Sequence, residues 1–126
     1  MSMKGEVLVV ASCPEEYHDD IEEICGNKNI GKAFGRAGDM VNSLDGGAEA
    51  WFAKWSAKVV VLVADKVKAN GSSSAKLICV EGGPQCAKEV AEMPRLKQAI
   101  RQEMRDDAFN IDVEWIEGPK FIDKYG

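Results

Sequence analysis

Two stretches of this chain share one layout. VLVVASCPEE from Val7 and KLICVEGGPQC from Lys76 each run from a short apolar segment through small residues to a proline and a polar stretch. Short β-branched runs closed by turn residues read as strands, and Ser/Gly followed by Pro opens a helix. Two strand–turn–helix units confine the chain to folds in which helices pack on a sheet, with both helix starts at one sheet edge.

The first unit gives a strand over 5–11 and a helix over 14–25. Ser12 and Glu15 have capping-box spacing, Tyr17, Ile21, Ile24 and Cys25 form the apolar stripe, and Gly26 is the expected C-cap. The second gives a strand over 77–80 and a helix over 84–105, buried through Cys86, Val90, Met93, Leu96, Ile100 and Met104 and kinked at Pro94. Ile111, Val113 and Trp115 alternate with Asp112 and Glu114, as in a half-buried strand.

The middle of the chain is ambiguous. Ile30, Phe34, Ala37, Val41 and Leu44 have helical spacing, but Gly31, Gly35 and Gly38 weaken that helix. Ala48, Trp51, Phe52 and Trp55 mark a short amphipathic helix. The run KVVVLVA, 58–64, either continues that helix or forms a strand; its valines favour a strand over 58–65.

With that strand the order is β-α-β-β-α-β, and the expected architecture is an α+β ferredoxin-like sandwich with a long helical first crossover. The alternative is a three-layer α/β fold. A two-layer sandwich leaves one sheet face uncovered, yet Val7–Val10, Val59–Val63 and Leu77–Val80 are apolar on both faces. Such a face needs a cover. The expectation is a homodimer, with the crossover 27–56 laying Trp51, Phe52 and Trp55 over the sheet as the other candidate.

Length and composition fit a single domain over residues 1–126, with 45% apolar residues to build a core. The net charge of −5 argues against nucleic acid and anionic membranes as partners. No apolar run is long enough to span a bilayer. The N-terminal stretch lacks a cleavage-site pattern, so a cytoplasmic location is expected, with Cys13, Cys25, Cys79 and Cys86 as reduced thiols.

No catalytic constellation stands out, and neither a metal site nor a cofactor is expected. The candidate residues are few. Cys13 at a helix start is a candidate nucleophile, although Glu15 and Glu16 oppose a thiolate there. Lys28, Lys32 and Arg36, in the Gly-rich basic segment 26–38, are candidate anion ligands at i, i+4 and i+8. Trp51, Phe52 and Trp55 are core residues or an interface. His18, the single histidine, sits among acids and reads as a surface residue.

Two functions follow. The first is a non-enzymatic binding or assembly domain acting through protein–protein contacts. The alternative is a small enzyme or sensor for an anionic, phosphorylated small molecule near Cys13 and segment 26–38. They are separated by whether Cys13, Lys32 and the Gly82–Gly83 turn meet at one crevice.

Overall fold

A computed structural model describes residues 6–34, 47–80 and 94–126, with the side chains of 47–53 and 94–95 outside that description. The elements are β1 (Val7–Ser12), a 3-10 turn (Glu15–Tyr17), α1 (His18–Lys28), β2 (Gly31–Lys32), α2 (Gly47–Asn70), β3 (Ser74–Cys79), α3 (Pro94–Met104), β4 (Asn110–Trp115) and α4 (Gly118–Tyr125). The four strands form one sheet in the order β2-β1-β3-β4. Every pairing is parallel, with Val9 opposite Gly31 and Leu77, and Leu77 opposite Val113.

The expected ferredoxin-like topology is not formed, and segment 58–65 is not a strand. Residues 47–70 make one continuous helix. Valine costs about half a kcal/mol against alanine in a helix. Packing outweighs that here: Trp55, Val59, Val63 and Val67 stand at four-residue intervals, and all four are buried. The opposite side of the helix carries Val61, 56% exposed. A strand over 58–65 would put Val61 on the same face as the buried Val59 and Val63.

Two apolar clusters show what covers the sheet. Val7, Val9, Ala11, Leu77 and Ile111 face Trp55, Val59 and Val63 of α2 and Leu96 and Ile100 of α3. Val10 and Ile78 face Ile21, Ile24 and Cys25 of α1 and Phe121 of α4. The architecture is therefore three-layered, helices on both faces of a parallel sheet, which explains why the central strands are apolar on both sides. The uncovered face that argued for a homodimer does not exist, because α2 lies on it.

Boundaries also differ. The first helix does not begin with a Ser12–Glu15 capping box; Pro14 precedes a 3-10 turn whose cap makes no side-chain hydrogen bond. Nor does α1 end at Gly26. It runs to Lys28, and Asn29 turns left-handed at φ 56° while Ile30 N–H donates to Cys25 O. That is a Schellman ending with asparagine in the usual glycine position. Pro94 is the first described residue of α3, so the kink expected there lies outside the described residues. The expected helical start at 84 and the weak helix beyond Phe34 lie outside the described residues. α1 and α3 lie on opposite faces of the sheet.

Candidate functional site at the carboxyl edge of the sheet

All four strands point the same way, so their carboxyl ends share one edge. From β1 the chain passes to β2 on one side; from β2 it returns across β1 to β3 on the other. The helices that follow β1 and β3 thus leave to opposite faces. In open α/β sheets this reversal opens a crevice above the strand ends, where ligands bind. Here the reversal of strand order falls between β1 and β3.

Local structure at the end of β1 is irregular. Val10 pairs with Ile78 but Ser12 with Cys79, so Ala11 is an extra residue, a bulge. Beyond it Ser12 O accepts from Val80 N–H at 3.0 Å. The indole of Trp55 donates from Nε1 to Ala11 O at 3.0 Å, holding a carbonyl that the bulge takes out of the ladder. Bulges re-aim the side chains that follow them, and the next residues are Ser12 and Cys13.

Cys13 is buried, and its thiol donates to Pro14 O at 3.4 Å. Pro14 O also accepts from Tyr17 N–H, which closes the 3-10 turn. His18 lies beneath that turn, only 2% exposed. This corrects the surface position expected for it. Its Nε2 is 3.0 Å from Cys13 O, and its ring meets Phe34 at 5.0 Å between centroids. A carbonyl only accepts, so Nε2 carries the hydrogen, and in the neutral ring Nδ1 keeps a lone pair. Nδ1 is buried and has no hydrogen-bond partner.

At the end of β4, Trp115 pairs with Cys79, one strand over from Ser12. Its Nε1 is likewise buried and without a partner. Neither feature had a signal in the sequence beyond the five-residue spacing of Cys13 and His18 and the position of Trp115 at a strand end.

The basic candidates do not form one face. Asn29 ends the helix after Lys28, and Lys32 belongs to β2, so the i, i+4 relation is lost. Lys28 is at the far end of α1 from His18, about 15 Å along the axis. Lys32 pairs with Glu22 at 3.1 Å and lies 5.5 Å from the Phe34 ring centre. Arg36 is outside the described residues, as are Gly82, Gly83 and Cys86. Trp51 and Phe52 fall within α2, but their side chains are not described. Trp55 is core. Glu15, Glu16, Asp19 and Asp20, all exposed, give the rim beside Cys13 a negative character.

Cys25, on the inner side of α1, behaves differently from a reactive thiol. Burial pushes it up to about 11, with Lys32 opposing and Glu22 adding to the rise. Among the described residues no group of three or more His, Cys, Asp or Glu side chains is placed to hold a metal ion. Among the described residues no helix is long and apolar enough to cross a membrane.

The chain matches no known protein family, no curated protein and no solved structure.

Proposed function

We propose that this chain is a small-molecule-binding domain whose ligand occupies the crevice between the carboxyl ends of β1 and β3. The observation that carries this reading is the reversal of strand order at β1 and β3, with a bulge delivering Cys13 and His18 beside it. The acidic rim and the engagement of Lys32 by Glu22 make a strongly anionic ligand a poor fit on the β1 side.

A fragment screen by amide NMR on the folded protein tests it. Small organic probes collect in functional crevices, so the expected perturbations centre on residues 12–18, Phe34, Val80 and 115–117. Probe binding concentrated on the outer side of α2, around Val61, overturns the reading and restores the assembly domain. Probes scattered without preference overturn it too.

A further inference from the structure

The outermost strands of a sheet carry main-chain N–H and C=O groups that the sheet itself does not use. The two edges here are treated differently. β2 has two residues, and Lys66 of α2 lies against it: a Cβ on Gly31 would stand 3.1 Å from Lys66 Cε, and Lys66 Nζ donates to Asn29 O at 3.3 Å and to Asn29 Oδ1 at 2.8 Å. β4 has six residues, and among the described residues no strand lies beyond it.

The bonds to β3 fix which groups of β4 point outward. Ile116 N–H donates to Cys79 O, so Ile116, Glu114 and Asp112 turn their main-chain groups toward β3. Ile111, Val113 and Trp115 turn theirs away, and among the described residues nothing pairs with them. A polypeptide laid along β4 would meet one donor and one acceptor at each of these positions.

The side chains say what that polypeptide is. Toward α2 and α3 the strand carries Ile111, Val113 and Trp115, of which Val113 and Trp115 are half-buried. The opposite face carries Asn110, Asp112 and Glu114. Lys76 and Lys124 engage Glu114 at 3.0 and 3.9 Å, whereas Asp112 is exposed and pairs with no cation among the described residues. Residues 106–117 hold five acids and neither Lys nor Arg. A strand with apolar side chains on the first face and Lys or Arg on the second complements both. A second copy of β4 does not. In a two-fold antiparallel pairing centred on Val113, Asp112 faces Glu114; centred on Asp112, it faces its own copy. Like charges directly opposite destabilise a sheet. We infer that β4 is a docking edge for an extended basic segment of another protein, which adds to the sheet as a further strand.

The probe is a synthetic peptide of alternating Lys and Val, about eight residues long, within the ordinary range for a strand. A Glu–Val peptide is its control, and both are added to the intact chain. By amide NMR, the Lys–Val peptide is expected to move the amide protons of Ile111, Val113 and Trp115 downfield and to slow their exchange with solvent. The amides of Asp112 and Glu114, already bonded to β3, should change little. General charge attraction does not produce that alternation. Asp112→Lys should weaken the peptide about fivefold by turning a cross-strand attraction into a repulsion. Val113→Pro removes an outward N–H that the sheet does not use and should abolish the alternation. Asp112 is exposed, so its variant tests the docking even where the proline variant fails to fold.

If Ile111, Val113 and Trp115 of the free chain exchange as slowly as Asp112 and Glu114, the edge is already covered and the inference is overturned. Uniform shifts along 110–115, or equal binding of the Glu–Val peptide, overturn it as well. So does the alternating pattern arising from rising protein concentration alone, which makes the occupant a second copy. The crevice at β1 and β3 stands or falls by its own fragment screen, whatever binds at β4.

Discussion

Trp55 and Ala11 are joined across two layers of the fold: an indole nitrogen on α2 donates to a β1 carbonyl at 3.0 Å. The bond exists because the bulge at Ala11 breaks the β1–β3 register, leaving that carbonyl facing a helix. Replacing Trp55 with Phe removes the donor and leaves the acceptor in a dry environment. The expected loss is about 1–3 kcal/mol in urea denaturation, the penalty of an orphaned buried group. A loss below a few tenths would show that Ala11 O finds another partner.

Cys25 makes stability depend on alkaline pH. Its folded-state value near 11 lies above its ordinary 9.0. An unfolded thiol therefore releases its proton first, and the unfolded state binds fewer protons between those values. Stability is fully present below pH 9 and falls as pH rises from about 9 to 11. The loss expected from this group is on the order of 1–2 kcal/mol. Cys25→Ser should flatten that window. Lys76, raised by its hydrogen bond to Glu114, adds loss in the same direction above pH 10.5, so the comparison of the two proteins is what isolates Cys25.

Thiol counting gives an independent check. Cys13, Cys25 and Cys79 are buried and unbridged. In denaturant a thiol reagent should count four; in the native protein at neutral pH these three should react far more slowly.

Arg105 closes α3 with φ at 56°, its N–H donating to Gln102 O while Asp106 N–H donates to Arg101 O. The left-handed region costs a residue with a Cβ about 1 kcal/mol. The Arg105→Gly variant should therefore be more stable by about 0.5–1 kcal/mol, and Arg105→Val less stable than the natural chain. Thermal denaturation reads both.

Gly118 opens α4 against the ring of Tyr17. A Cβ there would lie 2.5 Å from two atoms of that ring. Gly118→Ala should cost about 1–3 kcal/mol through overpacking. Combining it with Tyr17→Ala should recover part of that cost, since the clash is with this one side chain; additive losses would contradict the contact.

Light scattering should return a monomer near 13.7 kDa. Both sheet faces are covered by helices, which removes the reason for sheet-to-sheet pairing. A dimer at micromolar concentration would point to a helix face, with exposed Val61 the first place to look.

Much of this architecture was legible in local pattern. The strands ending at Ser12 and Cys79 were signalled by apolar runs before small residues, β4 by its alternation, and the apolar stripe of α1 by Ile21, Ile24 and Cys25. What misled was the valine run: intrinsic preference favours a strand, while the stripe through Trp55, Val59, Val63 and Val67 favours a helix, and long-range burial decided between them. One misread element changed the topology: without a strand at 58–65 there is no hairpin into β3, and every pairing among the described strands is parallel. The site was less legible. Cys13 was visible at a strand end, but the burial of His18 depends on Phe34 and on the turn above it. The Lys28–Lys32 spacing was illusory because Asn29 accepts a left-handed turn that composition does not announce.

The parallel sheet also sets an order of events in folding. No neighbouring strands can zip through a tight hairpin, and β1 cannot meet β3 until the chain between Ser12 and Ser74 has been gathered. Closing so large a loop is entropically slow. The 24-residue helix α2 shortens that span, and its indole at Trp55 fastens onto β1. Helix formation and this docking should therefore precede the β1–β3 ladder. Substitutions in the α2 stripe should slow refolding, whereas those in α4, the last element in sequence, should mainly speed unfolding.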